Sequence, residues 1–176
     1  MVARASQPTL GAIKLAWWRE RLEELEAGKA PAEPRLRAVA AELLPRGVEG
    51  AALAELTDGW TTLLEQVPDV ERTGAGGAKL FAIAAQLLGA NDPLIAAAGR
   101  FYRHEQVARL KLTFADWPID ELDPLSRHRF AKRLRPLTAL AALAARDRRR
   151  GGPPFEPEAT PGRSWALIRH RLTGKF

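Results

Sequence analysis

The stretch Ile13-Lys14-Leu15-Ala16-Trp17-Trp18-Arg19-Glu20-Arg21-Leu22-Glu23-Glu24-Leu25 constrains the fold more than any other part of the chain. Leu15, Trp18, Leu22 and Leu25 recur at spacings of three, four and three, which stacks them on one face of a helix. Ile13 and Trp17 widen that stripe, and Lys14, Arg21 and Glu24 fall roughly opposite it. Arg19 and Glu23 are spaced to pair across one turn. Adjacent side chains on a helix diverge by about 100°, so burying both Trp17 and Trp18 requires packing partners on two sides. The stretch predicts an inner helix.

No segment alternates with period two for long enough to make a strand, so the predicted class is all-α. The first helix is expected from Pro8 or Thr9 to Ala27, with Gly28 as its stop. A second starts near Glu33 with Pro34 in its first turn, turns Leu36, Val39, Ala40 and Leu43 inward, and ends by Pro45-Arg46-Gly47. A third, from about Glu49 to Gln66, carries the stripe Leu53, Leu56, Trp60, Leu63 and Val67. Residues 68–77 read as a loop. A helix over Ala78–Leu88, with Leu80, Ile83, Ala84 and Leu87 on one face, closes at Gly89. Asn91-Asp92-Pro93 signals the start of the next helix, which runs to about Leu110. Its Ala96-Ala97-Ala98-Gly99 lets a neighbouring helix approach closely. Residues 111–125 read as irregular, broken at Pro118 and Pro124. Helix resumes from Ser126 to about Arg150, kinked or interrupted at Pro136. Four prolines and three glycines in residues 151–162 suggest an exposed linker, and a short last helix covers Ser164–Leu172. The expected organisation is a helical bundle over 1–150, a linker over 151–162, and a C-terminal helix within 163–176 that packs on the same domain.

A chain of 176 residues is long enough for one domain with a substantial core. It contains no cysteine, which excludes disulfides and thiolate metal sites. The first dozen residues show no signal-peptide pattern, and no apolar run approaches membrane-spanning length. The expected location is the cytoplasm, with peripheral contact at a membrane. Charge is uneven: residues 1–99 carry ten Lys and Arg against thirteen Asp and Glu, and residues 100–176 carry seventeen against eight. A basic half answers nucleic acid, an anionic membrane or an acidic partner. With 21 arginines to 6 lysines, a GC-rich coding bias explains the excess about as well.

Specific chemistry is sparse. Gly74-Ala75-Gly76-Gly77-Ala78-Lys79 lacks the Gly-Lys-Ser/Thr ending and the preceding strand of a phosphate loop, so it reads as an ordinary loop into a helix. Asp116 and Asp120 have the spacing of paired magnesium ligands on a helix, but Pro118 between them favours a turn. His104, His128 and His170 lack metal-ligand spacing, and the Arg-His-Arg triplets around His128 and His170 read as solvated helix faces. No serine sits in a nucleophile-elbow context. The basic runs Arg127–Arg135 and Arg146–Arg150 suit anions, with Arg127, Arg129, Arg133, Arg148 and Arg149 as candidate anion or membrane contacts. No helix-turn-helix or base-stacking pattern accompanies them, so nucleic acid is not the expected partner.

Ile13 through Leu22 closely resembles the I-R-L-x-W-W-R-x-x-L segment of the squalene/phytoene synthase family. Gly28 to Leu36 resembles the family's G-x-P-x-x-P-x-L connector, and Leu56-Thr57-Asp58-Gly59 falls where members carry an acid on the next long helix. Gly77-Ala78-Lys79-Leu80-Phe81 with Leu87-Leu88-Gly89 resembles its glycine-leucine segment, and Ala98-Gly99-Arg100-Phe101-Tyr102 its following helix start. Trp117-Pro118-Ile119-Asp120-Glu121-Leu122 resembles its L-P-x-D-x-L segment. Arg135-Pro136-Leu137 through Arg146-Asp147-Arg148-Arg149 resembles its late helix.

The resemblance implies an isoprenoid-synthase-type bundle, lacking the N-terminal helices of the full fold, around an apolar cavity. Trp18, Trp60, Phe81, Phe101 and Tyr102 are the candidate pocket-lining residues, with ordinary core packing as the alternative. Active members hold magnesium between two acidic motifs and join two prenyl diphosphates. The first motif lies upstream of the Trp-Trp segment, and only twelve residues precede Ile13 here. The second falls within about Tyr102–Phe114, where Glu105 is the only acid. The expectation is therefore a non-catalytic member with no catalytic or metal-binding residue and no cofactor, similar to the branch that serves assembly of respiratory complex I. Its partners would be an isoprenoid or other lipid, or a membrane-complex subunit. Apolar surface left along the Trp-Trp helix would favour a homodimer. The alternative is a magnesium-dependent prenyl-diphosphate transferase with unusual ligands.

Overall fold

The computed structural model describes residues 8–28, 32–111 and 122–176, and among them every regular element is helical. The chain forms two compact units, Met1–Gly76 and Gly77–Phe176, where the sequence reads as one bundle to residue 150.

In the first unit α1 (Pro8–Glu23) tightens into a 3-10 turn, Glu24–Ala27, and stops at Gly28 with a left-handed φ of 72°. Arg19 and Glu23 pair at 3.2 Å as their spacing predicts. Leu15 and Leu25 are buried, and Trp18 and Leu22 half-buried. The other side of α1 corrects the inner-helix expectation. Leu10, Ile13 and Trp17 are 46%, 61% and 40% exposed, and their i, i+3, i+7 spacing makes a second apolar stripe facing outward. The partner of α1 is the stretch containing α3 (Gly50–Ala54) and α4 (Asp58–Thr61), which covers one face. A Cβ on Gly50 would overlap the Leu22 carbonyl, so glycine permits this approach. Helix α2 (Pro34–Glu42) is capped by the Glu33 carboxylate, which accepts from Leu36 N at 2.9 Å, and Leu36 is fully buried.

The predicted third helix is segmented. Short 3-10 turns, Glu55–Thr57 and Thr62–Leu64, follow α3 and α4. The Thr57 hydroxyl donates to Ala54 O at 2.7 Å, Thr61 to Thr57 O at 3.0 Å, and the Thr62 hydroxyl accepts from Asp69 N at 2.7 Å. Side-chain hydroxyls that engage nearby backbone compete with the regular helical ladder. Val67 falls beyond the last turn and is 82% exposed rather than inward.

Of residues 68–77, read as a loop, only 68 and 69 lie outside a helix. Helix α5 (Val70–Leu87) begins there, with Asp69 Oδ1 accepting from Arg72 N at 3.0 Å, and it carries Gly74, Gly76 and Gly77 in its interior. These glycines serve close packing. Gly76 lies against Gly59 within the first unit, and Gly77 lies against Gly99 within the second.

In the second unit, Gly89 ends α5 at φ 62° and Asp92 accepts from Leu94 N at 2.9 Å ahead of α6 (Ile95–Arg109). The predicted Pro118 break lies outside the described residues. Pro124 sits inside α7 (Leu122–Arg127), near its start, instead of breaking the chain. Residues 128–134 then interrupt the helix, and α8 (Arg135–Arg149) starts with Pro136 in its first turn, so of the predicted kink or interruption at Pro136 the structure has an interruption, just ahead of it. Helix α9 (Pro161–Thr173), capped by Thr160, packs along α8. Phe81, Phe101, Leu125, Phe130 and Leu134 are fully buried with Ala141 and Ala145 of α8, and Phe176 stacks on Phe130 at 5.5 Å. The segment between α8 and α9 is strapped rather than free: Arg109 lies over the Phe155 ring and donates to Glu156 O at 2.8 Å. No helix among the described residues is long and apolar enough to cross a membrane.

Candidate anion-binding cleft

The candidate pocket-lining residues divide between the units. Trp18 and Trp60 belong to the first, where each is half-buried. Phe81 and Phe101 lie in the core of the second with no exposed surface. Tyr102 packs on Phe81 at 5.6 Å and lines a cleft of about 570 Å³ together with Glu105, Arg109, Asp147, Arg163 and Leu167.

Three carboxylates line that cleft: Asp147 and Glu105 are buried and committed to arginines, and Glu158 is 84% exposed with Arg109 at 3.9 Å. Arg163 donates to both Asp147 oxygens, at 2.6 and 2.7 Å, and Arg109 adds a bond at 3.2 Å. Glu105 pairs with Arg148 at 2.8 Å. Burying a carboxylate costs several kcal/mol unless an opposite charge accompanies it, and here both buried ones are matched. Oxygens held by guanidinium groups are poor ligands for a hard cation, so this donor set does not fit a diphosphate-bound magnesium. Among the described residues, no group of three or more His, Asp or Glu could hold a metal ion.

The five candidate anion contacts are spread out. Arg127, on α7, pairs with Asp123 at 3.2 Å and is 82% exposed. Arg129 donates to Thr173 O at 2.8 Å and Arg133 to Gly89 O at 3.4 Å, so both tie the backbone together. Arg148 holds Glu105. Arg149 donates to Ser126 Oγ at 2.8 Å and also lines a second cleft, of about 310 Å³, between α8 and α9.

That second cleft gathers five cationic side chains among the described residues. Arg146 and Arg149 reach it from the last turn of α8, Arg150 from the residue that caps α8, Trp165 and Arg169 from α9, and Lys175 from the segment after α9. Glu156 bonds Arg146, lies 3.7 Å from Arg150 and accepts from Thr160 at 2.6 Å. The Arg146 guanidinium and then the Thr160 hydroxyl hold Glu156 down to about 2, so it stays ionised. Arg149, Arg150, Arg169 and Lys175 are exposed. Clustered guanidinium and ammonium donors favour phosphate or carboxylate oxygens. The sequence marked the run Arg146–Arg150 as suited to anions, with Arg149 among the candidate contacts, but did not join it to Trp165, Arg169 or Lys175. The i, i+3, i+4 spacing of Arg146, Arg149 and Arg150 was the usable signal.

His128 and His170 tie the fold together. His128 meets Asp92 at 2.8 Å. His170, expected on a solvated face, is 1% exposed: its Nδ1 meets Lys175 O at 3.0 Å and its Nε2 meets the Thr138 hydroxyl at 2.9 Å. Burial pushes its pKa below 6.5, so the ring is neutral at neutral pH. A neutral ring that donates from Nδ1 accepts at Nε2.

Compared with known proteins, the chain matches no family model, no curated protein and no solved structure.

Proposed function

We propose that this chain is a non-catalytic binding or assembly protein of the squalene/phytoene synthase pattern, an isoprenoid-synthase-type bundle that serves a membrane complex or its lipids instead of transferring prenyl groups. One observation carries the reading. Glu105, the acid that stands where the family's second acidic motif falls, and Asp147 beside the same cleft are both occupied by arginines. A prenyl-transfer site needs carboxylates free to converge on magnesium and draw off the diphosphate charge. Here the buried carboxylates Glu105 and Asp147 are neutralised, and clustered positive charge lines the exposed cleft between α8 and α9. That distribution suits recognition of an anionic partner. The outward stripe Leu10, Ile13 and Trp17 supports self-association as part of the same reading.

The test is turnover. Incubated with a long-chain prenyl diphosphate and magnesium, the protein should release no diphosphate above the protein-free rate. Release that scales with protein and disappears in Glu105→Gln would overturn the proposal.

A further inference from the structure

We infer that the outer face of α9 and the two basic flanks beside it form a docking surface for an anionic phospholipid membrane. The inference rests on the reading of the chain as a binding protein and names the partner of the cleft between α8 and α9.

Helix α9 buries one side, through Arg163 and His170. On the opposite side Trp165, Ile168 and Leu172 recur at i, i+3 and i+7 and are 65%, 49% and 69% exposed. A core-facing helix turns such a stripe inward; this one points it at solvent. The helix contains no Asp or Glu. Arg169 borders the stripe on one side, where the cationic cleft of Arg146, Arg149, Arg150 and Lys175 also opens and takes Trp165 as part of its wall. Arg171 borders it on the other, where Pro136, Ala139, Leu167 and Leu172 line an apolar groove of about 740 Å³ with Lys132 at its rim.

An apolar stripe between two rows of cations has the order of groups that a membrane interface presents in reverse, with acyl boundary flanked by phosphates. The indole of Trp165 is suited to the headgroup level, and the arginines reach lipid phosphates from stems that lie along the apolar surface. The acid at the cleft, Glu156, is already held by Arg146 and subtracts little from that field.

The experiment is co-sedimentation of the full chain with phosphatidylcholine vesicles, with and without about a third phosphatidylglycerol. Binding is expected to the anionic vesicles and not to the neutral ones, and to weaken as salt rises. Arg149→Gln/Arg150→Gln/Arg169→Gln should weaken it by about tenfold or more. Trp165→Ser/Ile168→Ser/Leu172→Ser should weaken it at least as much, while both variants melt within about two degrees of the parent, since every altered side chain is exposed. Failure to bind anionic vesicles overturns the inference. So does equal binding to duplex DNA that survives loss of the stripe, which would assign the cations to phosphates in general, or a dimer that the stripe substitutions dissociate. Prenyl turnover would sink the binding-protein reading while leaving vesicle binding to be read on its own, so the two failures are distinguishable.

Discussion

Gly77 and Gly99 bring the backbones of α5 and α6 into contact. A Cβ on either would overlap the other's carbonyl, and one on Gly99 would also stand 2.9 Å from Phe81 Cβ. Helix propensity alone says Gly99→Ala should gain about 1 kcal/mol. Overpacking at a backbone crossing costs about 1–3 kcal/mol or more, because both chains must separate. The clash should win, and Gly99→Ala is expected to unfold at lower denaturant than the parent; an unchanged or higher midpoint would contradict the crossing. His170 provides a pH test. Its folded pKa lies below the unfolded 6.5, so the unfolded chain binds more protons in the acid range. The stability that His170 contributes is therefore complete above about pH 6.5 and is lost as pH falls through the folded value. Melting temperatures from pH 8 to pH 5 should fall for the parent and fall less steeply for His170→Gln; parallel curves would show that His170 does not titrate this way. Neither residue's role was legible beforehand. Glycines in a row read as a loop because propensity is local, whereas the contact that keeps them helical comes from another element. An Arg-His-Arg triplet likewise reads as solvated until the helix's buried side is known.

At the scale of elements, α1 and α9 share a property that periodicity alone conveys poorly. Each carries an apolar stripe outward in addition to its buried side. Spacing identified Leu15, Trp18, Leu22 and Leu25 as one face of α1, and Leu15 and Leu25 are buried. It did not say that Trp17 lacks a second partner, since a helix covered on one side and a helix covered on two differ in their neighbours. The helix boundaries at Gly28 and Gly89 were legible because their stop signals are local and strong. The segmentation of residues 50–64 was not, because threonine hydroxyls turning back on their own carbonyls leave the apolar pattern intact. For α1, self-association through Leu10, Ile13 and Trp17 predicts a concentration-dependent dimer in sedimentation equilibrium that Ile13→Glu converts to monomer. A parent that stays monomeric into the hundred-micromolar range would remove that role from the stripe.

For the whole molecule, the all-helical class was legible throughout, while the functional arrangement was not. The cleft between α8 and α9 is assembled from residues 146–150, 165–169 and 175, brought together by the return of the chain after the strapped segment that holds Phe155 and Glu156. No sequence window contains it. The central claim is that this bundle binds anionic partners without magnesium chemistry. Its most direct test is the melting temperature in the presence of a long-chain prenyl diphosphate, with and without magnesium. A ligand at a hundred times its dissociation constant adds about 2.7 kcal/mol, or roughly five to ten degrees for a chain of this size. The account predicts the same melting temperature with and without the metal, whatever shift the amphiphile itself produces. A rise that requires magnesium would contradict it.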